Sequence, residues 1–199
     1  MRRTREEAEM TRRRVIEAAL KLFSRNGYSQ TTLAMIAAEA GYSRGPIYWH
    51  FSNKDELFEA VIGHSQEPLL QLVERARIEP DPRRALDDFV DEWFRLLVED
   101  DWFRQSFEIL LNKTELTAAM VRTIRRERQL TRAIIATLGA RIRELRPAGD
   151  VDAESLGLLC YTYLMGITQS WLFAPKLFSL AGRREFFRTH LHGMLGLSR

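Results

Sequence analysis

One short stretch of this chain gathers side chains suited to a polyanionic surface: Arg44, Tyr48, Trp49 and His50, with Ser43 just before them and Lys54 just after. Arginine presents a planar fork of donors that fits a guanine O6/N7 edge, whereas serine, tyrosine, histidine and lysine can each donate to a phosphate oxygen. Gly45 and Pro46 carry no large polar head, so they permit close approach and apolar contact with a thymine methyl. Trp49 can hold a phosphate through its indole N–H. Thr31, Thr32 and Tyr42 flank this group and extend the candidate surface, although the threonine pair serves equally well as a helix cap.

Such side chains work only if a rigid element aims them together. Ile47 and Phe51 stand four residues apart and occupy the inward face of a helix, which leaves residues 48 to 50 mainly outside. That helix is expected from Arg44 to about Phe51, capped by Ser43, with Pro46 tolerated because first-turn N–H groups have no intrahelical acceptor. A short helix from Leu33 to Ala40 precedes it and Gly41-Tyr42-Ser43 joins the two, with Leu33, Ile36, Ala37, Ala40 and Ile47 facing inward. This is the pattern of a helix-turn-helix, whose second helix enters a major groove.

The rest of the chain also reads as helix. Val15, Ala18, Ala19, Leu22 and Phe23 follow the i, i+3, i+4, i+7, i+8 series, and Gly27 supplies the stop. Asn53 with Glu56 three residues on has the spacing of a capping box, so a long helix starts at Lys54 and runs to about Arg77. Further helices are expected at about 83 to 99, 102 to 112, 117 to 145, 152 to 174 and 183 to 197. The fold class is all-α with about nine helices, and two domains are expected, 1–54 and 55–199.

Charge supports that division. Up to Lys54 there are ten Lys/Arg against five Asp/Glu, net +5; beyond it there are 20 against 22, net −2. A basic end of this kind is expected where a protein meets a polyanion, though a solvated basic face would look the same. The single cysteine, Cys160, forms no internal disulfide, and a reducing compartment fits. No charge-free apolar run reaches the ~18 residues of a membrane span and the start lacks a signal core, so the expected location is the cytoplasm, away from membranes.

No Gly-rich phosphate loop, nucleophile motif or metal-spaced His/Cys set is present, so neither an enzyme, a metal site nor a cofactor is expected. In the helix at 152 to 174, Leu156, Leu159, Cys160, Tyr163, Ile167 and Trp171 form one apolar stripe, while Leu158, Tyr161, Met165 and Leu172 lie elsewhere around it. A helix apolar on several faces must be covered on several faces. A partner subunit is expected to cover one of them, which makes Leu156, Cys160, Tyr163, Ile167 and Trp171, with Phe187, Leu191 and Met194 of the last helix, candidate homodimer contacts. A buried helix in a monomer remains the alternative.

Segment 31–57, TTLAMIAAEAGYSRGPIYWHFSNKDEL, resembles the DNA-binding segment of TetR-family transcriptional repressors. RTREEA at 3–8, EILLNK at 108–113 and GITQSWLFAP at 166–175 resemble the AcrR-like branch of drug-efflux repressors. The resemblance implies a homodimer on a palindromic double-stranded DNA operator, released when a small hydrophobic or cationic inducer enters the C-terminal domain. It also directs attention to Phe103, Phe107, Leu110 and Leu111 as one wall of an inducer pocket, with Glu108, Asn112 and Gln169 as its polar groups, a packed core being the alternative. The chain departs from close relatives at Asn112, where histidine is common, and at Thr114, where cysteine is common. A regulator of metabolic genes and a protein-interaction bundle with a basic head stay open as alternatives.

Overall fold

The computed structural model describes residues 5–112, 120–146 and 150–197. Among them the chain forms nine α-helices and no strand: α1 (Arg5–Asn26), α2 (Leu33–Glu39), α3 (Arg44–Tyr48), α4 (Lys54–Ile78), α5 (Pro82–Glu99), α6 (Asp101–Asn112), α7 (Val121–Leu145), α8 (Ala153–Phe173) and α9 (Arg184–Met194). A 3-10 turn, Ala181–Arg183, leads into α9. Thr114 and the expected start of α7 at 117 lie outside the described residues.

Local chemistry sets most of these ends. Asp81 caps α5 by accepting from Arg83 N at 2.9 Å, with Pro82 at the first position, and Asp152 caps α8 by accepting from Ser155 N at 2.9 Å. Gly41 ends the α2 segment at φ +75°, a conformation that side-chain-bearing residues rarely adopt. Asn53 caps α4 by accepting from Glu56 N at 2.8 Å, as its spacing predicts. The reciprocal bond is displaced by one residue: Glu56 accepts from Ser52 N at 2.7 Å. That backbone hydrogen bond is the main cause holding the Glu56 carboxyl below its ordinary pKa.

α3 is shorter than its sequence suggests. The Ile47 carbonyl accepts from both His50 N and Phe51 N at 2.9 Å, which closes the helix after Tyr48 and returns Phe51 to the interior. α9 likewise stops at Met194, short of residue 197.

Packing divides the chain into two units, Met1–Gln66 with Trp102–Arg125, and Glu67–Asp101 with Arg126–Arg199. The boundary read at Lys54 from charge coincides with the first residue of α4 and falls inside the first unit. α4 continues from one unit into the other, and Pro68, just past the junction, has no N–H for the His64 carbonyl one turn back.

In the first unit, the α1 face of Val15, Ala18, Ala19, Leu22 and Phe23 is buried as its periodicity requires, together with Ile36, Ala37, Ile47 and Phe51. Phe23, Tyr28 and Phe58 form a ring cluster with centroids 5.0–5.6 Å apart. Each such aromatic removed from water contributes about 1.5–3 kcal/mol. The helix-turn-helix is therefore mounted on a core from α1 and the first turns of α4, independent of its polar face.

In the second unit, α5 buries Leu86, Phe89, Val90, Trp93, Phe94 and Leu97. Trp93 Nε1 donates to Thr168 Oγ1 at 3.0 Å, and that hydroxyl donates to the Leu164 carbonyl at 2.8 Å, so a buried polar pair is satisfied across α5 and α8. The inward seam of α8 is Leu156, Gly157, Cys160, Leu164 and Thr168. Burial pushes the Cys160 thiol up to about 12, which leaves it protonated and unreactive. Gly157 lies where α8 meets α7. A Cβ there would stand 2.0 Å from the Ile135 carbonyl oxygen, and one on Gly139 2.0 Å from that of Ala153, so the two helices cross backbone against backbone. Among the described residues no helix is long and apolar enough to cross a membrane, and no group of three His, Cys, Asp or Glu could hold a metal.

Candidate nucleic-acid interface

Ile47 and Phe51 are sealed in the core at 0% and 2% exposure, and the side chains between them turn outward. Tyr48 is 56% exposed and Trp49 79%, which is unusual for large aromatics without a covering surface. His50 is half-buried, its ring 6.4 Å from that of Phe51. Gly45 is exposed and Pro46 half-buried; Tyr42 is half-buried in the turn. Arg44 occupies the first position of α3, and its side chain lies outside the description. Ser43 is the N-cap residue of α3 and makes no side-chain cap bond, so its hydroxyl is not spent on the helix.

The two threonines have separate roles. Thr32 is exposed and caps α2, its Oγ1 accepting from Met35 N at 3.2 Å. Thr31 is fully buried, and its hydroxyl donates to the Gly27 carbonyl at 2.8 Å. Thr31 is thus removed from the candidate DNA contacts: it pins the turn after α1 from inside.

Lys54, at the first position of α4, is partly buried. Its Nζ donates to the carbonyls of Tyr28 at 2.9 Å and Thr31 at 3.0 Å and lies 4.0 Å from the centre of the Tyr28 ring. The ammonium that was expected to meet a phosphate is engaged by the protein itself. Beside it, the Tyr28 hydroxyl donates to Asp55. Neither Tyr28 nor Asp55 was expected at the site, because nothing in a sequence links residues so far apart. Arg12 was missed too: its guanidinium lies over the Phe51 ring, 5.5 Å from the centroid, which brings a cation of α1 to the base of α3.

The remaining candidates separate by unit. Phe103, Phe107, Glu108, Leu111 and Asn112 share α6 in the first unit, whereas Gln169 belongs to α8 in the second. Phe103 is fully buried with its ring 4.9 Å from that of half-buried Phe107, so it is core. Glu108 is half-buried and accepts from Ser24 Oγ at 3.3 Å; Leu111 and Asn112 are exposed. Of the candidate dimer contacts, Leu156, Cys160 and Leu191 are sealed in the chain's own second unit and have no surface to offer a partner. Tyr163, Ile167, Trp171 and Phe187 are half-buried, with Tyr163 Oη donating to the Phe187 carbonyl at 2.9 Å, and Met194 is exposed. The exposed leucines of α8 are Leu158 and Leu159, on the face away from the seam.

Residues 15–61 match the family model described as bacterial regulatory proteins, tetR family. Over 192 residues the chain is 36% identical to the HTH-type transcriptional regulator TtgR of Pseudomonas putida, a match that covers 93% of this chain and 91% of that protein. The chain belongs to the TetR family. This TetR-family regulator is also 32% identical to the HTH-type transcriptional regulator AcrR of Shigella flexneri, over 90% of the chain and 86% of that protein. In structure it matches NalD of Pseudomonas aeruginosa, described as the secondary repressor of the MexAB-OprM multidrug efflux pump, with a TM-score of 0.82, 28% identity and 96% of each chain covered. It is a transcriptional regulator with an N-terminal helix-turn-helix, and α2 with α3 is that element.

Proposed function

We propose that this TetR-family regulator is a repressor that binds a palindromic operator as a homodimer, controls a multidrug efflux operon and leaves DNA when a small hydrophobic or cationic inducer binds. The observation that carries the DNA reading is the outward pair Tyr48 and Trp49, aimed by the buried anchors Ile47 and Phe51. Arg44, at the N-terminal end of α3, reads a guanine edge; Tyr48, Trp49, His50, Thr32 and Ser43 hold phosphates. Efflux control is supported by the likeness to NalD, whose description names a multidrug efflux pump, and the cytoplasm is the compartment in which such a regulator meets its operator.

One head offers few contacts, so two heads spaced one DNA turn apart, ~34–36 Å, share the entropic cost of binding. The apolar side chains that α8 and α9 leave exposed, Leu158, Leu159, Phe186 and Met194, support pairing through these helices. For the inducer, the accessible part of α6, Phe107, Glu108, Leu111 and Asn112, combines an apolar stripe with a carboxylate and an amide suited to orienting an amphipathic cation.

Release requires an inducer that binds the DNA-free arrangement better than the DNA-bound one. At a typical coupling of 1–3 kcal/mol, operator affinity falls ~5–150-fold at saturation. A fluorescence-anisotropy titration of duplex DNA from beside the protein's own gene, with and without a saturating efflux-pump substrate, tests this. A drop within that range is expected; unchanged affinity with a compound shown to bind removes the inducer mechanism.

A further inference from the structure

We propose that Lys54 is a positioning residue for DNA recognition: its ammonium clasps the Tyr28 and Thr31 carbonyls, and Tyr28 returns its hydroxyl to Asp55, so the start of α4 holds the turn that launches α2. This rests on the DNA-binding reading of α2 and α3.

Three groups of the chain hold the ammonium. Lys54 Nζ uses two of its three N–H groups on carbonyls 2.9 and 3.0 Å away, and the Tyr28 ring supplies a cation–π face at 4.0 Å. Tyr28 is itself fixed, 8% exposed and packed edge-on against Phe58 at 5.0 Å. Thr31, whose carbonyl Lys54 holds, is pinned through its hydroxyl to Gly27, and the next residue, Thr32, caps α2. The path from Lys54 to the recognition element is therefore one fixed turn and one cap.

Burial lowers the Lys54 ammonium pKa and, with the Asp55 bond, raises that of the Tyr28 phenol. Both directions fit groups withdrawn from water. A lysine that acted by touching phosphate would gain from staying solvated and extended.

Positioning and direct contact differ in their response to salt. A cation that neutralises a phosphate releases counterions, so its removal lowers the slope of log K against log[salt] by about 0.9 per contact. A positioning cation lowers affinity for the operator while leaving that slope and the affinity for unrelated DNA in place.

The test compares wild-type protein with Lys54→Met, which keeps the aliphatic stem, Tyr28→Phe, which keeps the packed ring, and Lys54→Arg. Operator and unrelated duplexes are titrated across salt concentrations, and amide exchange is followed in α2. For Lys54→Met, operator affinity is expected to fall about tenfold with the slope and non-specific affinity unchanged, and the amides of Met35 and Ile36 to exchange faster. Tyr28→Phe shifts both readouts the same way by less, and Lys54→Arg restores them in part. A reduced salt slope with equal loss on all DNA overturns the proposal in favour of direct contact. Unchanged operator affinity in the folded fraction overturns it in favour of a purely stabilising role. Should the wild-type chain bind no duplex, the DNA-binding reading fails on its own; faster α2 exchange in the variants then still supports the clasp, and unchanged exchange overturns it.

Discussion

Gly157→Ala lowers the thermal midpoint by roughly 6–12 °C. The added methyl stands 2.0 Å from the Ile135 carbonyl oxygen, a backbone atom that no rotamer change can move aside. Overpacking usually costs 1–3 kcal/mol, and separating two helices that touch through their backbones places this case at about 3 kcal/mol or above. For a chain of this size each kcal/mol shifts the midpoint about 2–4 °C. Gly139→Ala acts on the same crossing and should behave alike, so the pair is not additive. Gly45→Ala is the control, because a Cβ there meets nothing within 4 Å. Thermal melts followed by circular dichroism decide it: equal midpoints for Gly157→Ala and Gly45→Ala would mean that α7 and α8 do not approach so closely.

On the proposed pairing through α8, Leu158→Glu is expected to yield a monomer and to lower operator affinity by about 100-fold or more. Leu158 is 48% exposed, so the substitution leaves the chain's own core intact, whereas a charge facing its symmetry mate across an apolar contact is buried without a partner. Losing the tether between two heads removes an avidity gain of order 10²–10⁴. Sedimentation velocity gives the oligomeric state, and the anisotropy titration gives the affinity. A dimer that survives Leu158→Glu would place the interface elsewhere.

The helices and the outward side of α3 were legible because both follow from short-range rules. A 3.6-residue period put Val15, Ala19, Ile36 and Ile47 inside, and the cap at Asn53 fixed the start of α4. The outward Tyr48 and Trp49 followed from the inward Ile47 and Phe51 alone.

What failed depended on separations that periodicity does not encode. Thr31 and Thr32 are chemically identical neighbours, and only the fold decides that one is buried and the other caps α2. Lys54 looked free because its partners are main-chain carbonyls in a turn far back in the chain. On α8, the stripe assigned to a partner subunit splits: Leu156 and Cys160 are sealed within the chain's own second unit, whereas Tyr163, Ile167 and Trp171 are half-buried and Leu159 is exposed. Gly157 was the available clue: a glycine on the Leu156–Cys160 face marks the side that another helix approaches. The charge change at Lys54 coincides with the first residue of α4.

The most direct test of the outward α3 surface is the affinity of Tyr48→Ala for duplex DNA, measured by anisotropy over a range of salt concentrations with folding verified by circular dichroism. Wild-type affinity should fall steeply as salt rises, and Tyr48→Ala should bind operator and unrelated duplexes alike at least about tenfold more weakly, with an unchanged melting curve. Wild-type binding that ignores salt, or a Tyr48→Ala protein that holds DNA as tightly as the parent, would contradict the assignment of this surface to DNA.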